Sequence, residues 1–161
     1  MRSPAPKVSA LPAEHRERLM AYAEDVYFEA GDRLFEEQRH ADRFWIVKTG
    51  AVNLDAKVPG RGSPVIETLR HGELVGLSWL FPPYLCQSGA EAMTPVRAHA
   101  FDATAVRAMC QTDQAFGSAV YYWVGSILAH RLQVTRVRLL DLYAPHGTAR
   151  GQRPCGRKLR P

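Results

Sequence analysis

From Asp25 to Asp102 the apolar positions of this chain recur with the period of strands, and on either side they recur with the period of helices. Pro12 at a first helical turn followed by Ala13 to Ala23 predicts a helix, with Leu11, Leu19, Tyr22 and Ala23 on its buried side. Val26 and Phe28 then alternate with polar neighbours, Ala30-Gly31-Asp32 marks a turn, and Leu34-Phe35 resumes the alternation. Phe44 to Val47 is a β-prone run, Thr49-Gly50 a turn, and Val52 and Leu54 a further strand. Pro59-Gly60-Arg61-Gly62 makes an exposed hairpin tip, after which Val65 to Leu69 returns and delivers the chain to His71. Ala90 to Phe101 alternates again, broken near Pro95. Short strands joined by turns, with no helices between them, predict a mainly β domain. Its form is an antiparallel β-roll or jelly roll with flanking helices.

Asp102 caps a predicted helix from Ala103 to Cys110, and Asp113 caps a longer one from Phe116 to about Tyr143. Phe116, Val120, Trp123, Ile127 and Val134 fall near one side of the long helix, and Val124, Leu128, Leu132 and Leu139 widen the stripe. One reading is that the stripe covers the barrel. The other is that it also packs on a second copy, because about 28 residues reach roughly 42 Å, more than a small barrel needs. The expectation is a homodimer through this helix, with Val120, Ile127 and Val134 facing the partner.

Composition narrows the picture. The 161 residues suffice for one cored domain, and 46% hydrophobic with 23% charged is ordinary for a globular chain. The net charge of +5 belongs to residues 148–161, which hold five basic residues and no acid; the preceding residues carry 16 of each sign. The expected organisation is a loose leader over residues 1–10, one domain over 11–147 and a disordered basic tail over 148–161. No apolar run is long enough to span a bilayer, and the N-terminus lacks a secretory core, so the expectation is a cytoplasmic protein without a membrane segment. Cys86, Cys110 and Cys155, like the six scattered histidines, show no metal-ligand or disulfide spacing.

The stretch His71 to Tyr84 (HGELVGLSWLFPPY) draws attention because Glu73 is its one carboxylate, set before Leu74, Val75, Leu77, Trp79, Leu80 and Phe81. Such an acid is costly to bury without partners. Glu73 either starts a helix and bonds local amides or contacts a ligand.

Taken in order, Phe28-x-x-Gly31-Asp32-x-Leu34-Phe35-Glu36, Phe44-Trp45-Ile46-Val47-x-x-Gly50-x-Val52-x-Leu54, Gly72-Glu73-Leu74 and Thr94-Pro95-Val96 to Phe101-Asp102 resemble the cyclic-nucleotide-binding domain. That β-roll is shared by catabolite-activator-type regulators, kinase regulatory subunits and gated channels. The resemblance covers about residues 11–140. It implies that a glycine-glutamate pair opens a helical phosphate-binding cassette, that the glutamate takes the ribose 2′-hydroxyl, and that an Arg-Ser/Thr-Ala triplet holds the cyclic phosphate. By position Glu73 matches the ribose contact, and the triplet falls on Cys86, Gln87 and Ser88, so the ligand-binding residues it implies are Gly72, Glu73, Leu74, Gln87 and Ser88. The arginine is missing: no Lys or Arg occurs from His71 to Val96. Gln38 stands where the family often has glycine. Amides near Leu74 to Gly76, at a helix start, would supply only partial charge to an anion. Arg97 and Arg70 are the candidates to replace the arginine.

The family usually couples this domain to a second one. Eighteen residues after Tyr143 are too few for a DNA reader, so no DNA-binding domain is expected. The resulting reading is a non-enzymatic sensor with a possible small-molecule ligand coupled to its C-terminal helix, no cofactor, and weak or lost cyclic AMP and cyclic GMP binding. The alternative is a ligand-free β-roll serving as a scaffold for an unidentified protein partner. Cys86 reads as a packed strand cysteine rather than a nucleophile.

Overall fold

The computed structural model describes residues 4–144. Eight antiparallel strands form two four-stranded sheets: β1 (Glu24–Phe28), β8 (Val96–Asp102), β3 (Arg43–Thr49) and β6 (Leu74–Val75) in one, and β2 (Arg33–Phe35), β7 (Gly89–Ala92), β4 (Val52–Asp55) and β5 (Val65–Leu69) in the other, each in that order. Helix α1 (Ala13–Met20) precedes them, and α2 (Ala103–Thr112) and α3 (Gln114–Tyr143) follow. This is the β-roll with a long final helix that the apolar pattern predicts. Among the described residues, no helix is long and apolar enough to cross a membrane. No group of three or more His, Cys, Asp or Glu stands ready for a metal among them either.

Two cores explain why Phe44 to Val47 does not alternate. Trp45 and Val47 point between the sheets with Val52, Leu69, Val75 and Val96, whereas Phe44 and Ile46 point into the helices with Phe101, Phe116, Val120 and Trp123. A strand covered on both faces reads as a continuous apolar run. Alanines 90, 92, 98 and 100 fill the inter-sheet core beside Trp45, which stacks on Phe35 at 5.6 Å and meets Phe28 edge-on at 6.5 Å. In the second sheet Asp55 lies opposite Gly89 in register, and Arg33, on the far side of β7, reaches over that glycine to bond the Asp55 carboxylate. A Cβ at Gly89 would stand 2.5 Å from Asp55 Oδ1 and closer still to Arg33 Nη2. Asp55 is 6% exposed, and the bidentate guanidinium is what makes its burial tolerable.

Three expectations need correction. The leader is not loose throughout: Val8 donates to the Gly72 carbonyl at 2.8 Å, Trp123 Nε1 donates to the Lys7 carbonyl at 3.0 Å, and Val8–Ala10 forms a 3-10 turn that sets Leu11 into the core. Helix α1 stops at Met20, so Tyr22 is half exposed rather than buried. Val120 and Ile127 are 0% and 2% exposed inside the domain's own core, where no partner can reach them. The capped starts hold: Asp102 accepts from Ala105 N at 2.8 Å and Asp113 from Phe116 N at 3.0 Å. The expected tail over 148–161 lies outside the described residues.

Candidate ligand pocket

Behind β6 the chain does not enter a helix. Leu74 and Val75 pair with Ile46 and Trp45 as strand, Gly76 turns at φ 88°, and Leu77 to Pro83 continue as bends and turns. The expected helix start near Leu74 to Gly76 is therefore absent, because β3 recruits those residues into its sheet. The segment is held from below by aromatic stacking, Trp79 on Phe44 at 4.0 Å and Phe44 on Phe101 at 4.8 Å. From α2, Arg107 donates to the Trp79 carbonyl at 2.5 Å and lies over the Tyr84 ring at 4.3 Å. Its exit is stitched to the loop before β3, with Ala41 N donating to the Tyr84 carbonyl at 2.7 Å and Cys86 N to the Arg39 carbonyl at 2.8 Å. Gln38, at the place where glycine is frequent, takes φ 67°, the left-handed region glycine favours.

Between this segment, the two sheets and α3 lies a cavity of about 290 Å³. Its walls are Gly76 to Trp79, Phe81 to Pro83 and Leu85 to Ser88, with Phe35, Ala41, Arg43 and Leu54 from the sheet side and Leu128 and Arg131 from α3. The lining is mostly apolar, with Ser78, Gln87, Ser88 and two guanidinium groups as its polar points. Trp79 Nε1 is buried without a hydrogen-bond partner among the described residues. A broader groove of about 460 Å³ lies between α1 and the first sheet and includes Gly72, Met20 and Ile46. Its walls come from Val8, α1, β3, the β5–β6 turn and His99 of β8, and neither the segment after β6 nor α3 contributes to it.

The residues singled out in the sequence divide between two places. Gln87 and Ser88 line the cavity; Gly72, Glu73 and Leu74 do not. Glu73 sits in the turn from β5 to β6, its carboxylate accepting from Arg70 N at 2.7 Å. Gln87 folds back to donate to the Leu85 carbonyl at 3.2 Å. Neither Arg97 nor Arg70 lines the cavity. The arginines that do are Arg43, at the start of β3, and Arg131. Arg131 donates from Nη2 to the Leu74 carbonyl at 2.8 Å and sets Nε 3.2 Å from the Glu67 carboxylate. Burial pulls its pKa below the usual arginine range, opposed by the charges of Glu67 and Glu73. No spacing within residues 71–96 points to Arg131, because it arrives from a helix some forty residues later. Burial, followed by the neighbouring charge of Asp42, pushes the Cys86 thiol up, so this pocket cysteine is a packed thiol.

The cyclic nucleotide-binding domain profile matches residues 25–113. A search of the curated proteins finds no match. Among solved structures, a cyclic nucleotide-binding domain from Methylobacillus flagellatus superposes with a TM-score of 0.73 at 19% identity, covering 80% of this chain and 72% of that one. The c-di-GMP responsive global regulator CLP of Xanthomonas campestris gives 0.72 at 19% identity, covering 82% and 65%. The catabolite activator protein of Thermus thermophilus gives 0.68 at 20%, covering 83% and 61%. The chain thus spans less than two thirds of these last two regulators.

Proposed function

Since the chain belongs to the cyclic nucleotide-binding domain family, whose profile spans more than half of it, we propose that it is a regulatory sensor whose small ligand occupies the cavity behind β6 and acts on α3. The observation that carries this reading is that α3 supplies part of the cavity wall through Leu128 and Arg131. An occupant touches the long helix directly, so its binding energy differs between arrangements of that helix, which is the requirement for a ligand to shift a conformational equilibrium.

Cyclic AMP and cyclic GMP are poor candidates for that ligand. The glycine that opens the cavity-lining segment is Gly76, and the residue after it is Leu77 rather than a carboxylate. Ten residues beyond Leu77 stands Gln87, a neutral side chain where a cyclic phosphate needs a cation. The relative named as c-di-GMP responsive supports a ligand outside the cyclic mononucleotides on this fold. Thermal denaturation with cyclic mono- and dinucleotides tests the reading: cyclic AMP and cyclic GMP should leave the melting temperature unchanged at 100 µM. A shift of several degrees with either would reverse the argument from Leu77 and Gln87.

The sensor is further proposed to be a homodimer, through a face other than the one the sequence suggests. Tyr121, Gly125, Leu128, Leu132, Thr135, Leu139 and Leu142 follow one another at steps of four and three, the seam spacing of a two-stranded coiled coil. Leu132, Leu139 and Leu142 are 62%, 52% and 81% exposed. A second copy of the same helix is the self-complementary cover for such a stripe.

A further inference from the structure

The charge of the cavity wall is lopsided: it carries two guanidinium groups, Arg43 and Arg131, and no carboxylate. Arg43 is half exposed and reaches Glu24 only at 3.5 Å, so its charge is largely spent on solvent. Arg131 differs. Its side chain is 15% exposed, its Nε lies 3.2 Å from the Glu67 carboxylate, and Nη2 donates to the Leu74 carbonyl. A guanidinium has five N–H donors. The pair on Nη1 and the second on Nη2 have no acceptor among the described residues. Those three N–H donors remain for a carboxylate, which a guanidinium grips through two parallel bonds. Glu67 lies nearest Nε and outside the cavity lining.

Beside the polar points Ser78, Gln87 and Ser88, the same cavity carries the apolar side chains of Phe35, Leu77, Leu85 and Leu128. A sugar hydroxyl pressed against those side chains would exchange water for carbon and lose its hydrogen bonds. A hydrocarbon or aromatic body would gain by the same transfer. We infer that Arg131 is the anion receptor of this pocket and that the ligand class is an apolar organic acid, its carboxylate on the free Nη1 and Nη2 donors and its body among the apolar residues. The inference rests on the cavity being a ligand site, and it replaces the cation missing from residues 71–96 with one delivered by α3.

Titration calorimetry of the full chain with 2-naphthoate and with uncharged 2-naphthamide tests it. The acid should bind at least tenfold more tightly than the amide. Arg131→Met should remove that preference while amide binding persists. Leu77→Glu keeps Arg131 and adds a carboxylate to the same wall; it should weaken the acid at least tenfold, and it serves if Arg131→Met does not fold. Equal affinity for acid and amide overturns the assignment and leaves the cavity a ligand site. Unchanged preference in Arg131→Met, or undiminished acid binding in Leu77→Glu, overturns it in the same way. Binding of neither probe also overturns it, and the nucleotide panel then decides separately whether the cavity is a ligand site.

Discussion

Arg131 of α3 and Glu67 of β5 stand 3.2 Å apart with side chains only 15% and 22% exposed, so a mostly buried ion pair fastens the long helix to an edge strand beside the pocket. Arg138, two turns on, donates to the Ile66 carbonyl of the same strand. These two contacts hold α3 along a stretch where its own burial has ended, since its last buried residue is Ile127.

Replacing Glu67 with Gln removes the charge that compensates a buried guanidinium. Because both groups keep some solvent, the expected loss is about 1–3 kcal/mol, below the cost of breaking a fully buried pair. A urea melt of Glu67→Gln that superimposes on the wild-type curve would show that the pair is inert.

Leu132 is 62% exposed, lies on the proposed seam and does not line the cavity. Leu132→Asp should sediment as a monomer at micromolar concentration while the wild type sediments as a dimer, with an unchanged circular dichroism spectrum at low temperature. A wild-type monomer at 50 µM would remove the dimer from the picture.

Gly89→Ala should destabilise by about 1–3 kcal/mol, because a methyl group there must displace Arg33 from Asp55. In an Arg33→Met, Asp55→Leu background the same alanine should be nearly neutral. The coupling between these changes is measurable by a cycle of denaturant melts. Additive effects would mean that the contact over Gly89 is looser than its geometry indicates.

Leu77→Glu together with Gln87→Arg supplies a hydroxyl acceptor and a cation to the cavity. Cyclic AMP should then bind at least tenfold more tightly than it binds the wild type, as read by calorimetry. No gain would place the family's nucleotide contacts elsewhere, and Glu73 would return as their candidate.

The Cys110 thiol has its pKa pushed up to about 11 by burial. At pH 8 roughly a thousandth of it is thiolate, the form that reacts. Iodoacetamide at pH 8 should leave Cys110 unmodified in the native protein and modify it after denaturation, as located by peptide mass mapping. Rapid native labelling would mean that the α2–α3 packing opens readily.

The run of strands along the chain and the helix caps were legible because they rest on local chemistry: alternation at Val52 and Leu54, and carboxylates at Asp102 and Asp113 placed one residue before helix formers. Part of the cavity lining was legible. Gln87 and Ser88 follow from their place in the family pattern, but Glu73 and Gly76 sit three residues apart on either side of a strand, and only the folded arrangement puts Gly76 rather than Glu73 in the cavity wall. Arg131 was not legible at all, since nothing local distinguishes it from the other arginines of α3. The face of α3 was misjudged for a related reason. Val120, Ile127 and Leu132 are alike in hydropathy, and the burial that separates them comes from β3 and β8 rather than from the helix.

The arrangement of Arg33, Asp55 and Gly89 also constrains the order in which this sequence can change. Alanine at 89 is accessible by a single codon step, yet it meets a filled space as long as the salt bridge stands, and losing Arg33 first strands the buried Asp55 carboxylate in the sheet. The direct step to a larger residue and the path that loses Arg33 first therefore both pass through a destabilised intermediate. Lineages that acquired the bridge would retain a glycine there without any ligand selecting it, so invariance at that site among close relatives would report on sheet architecture and not on binding.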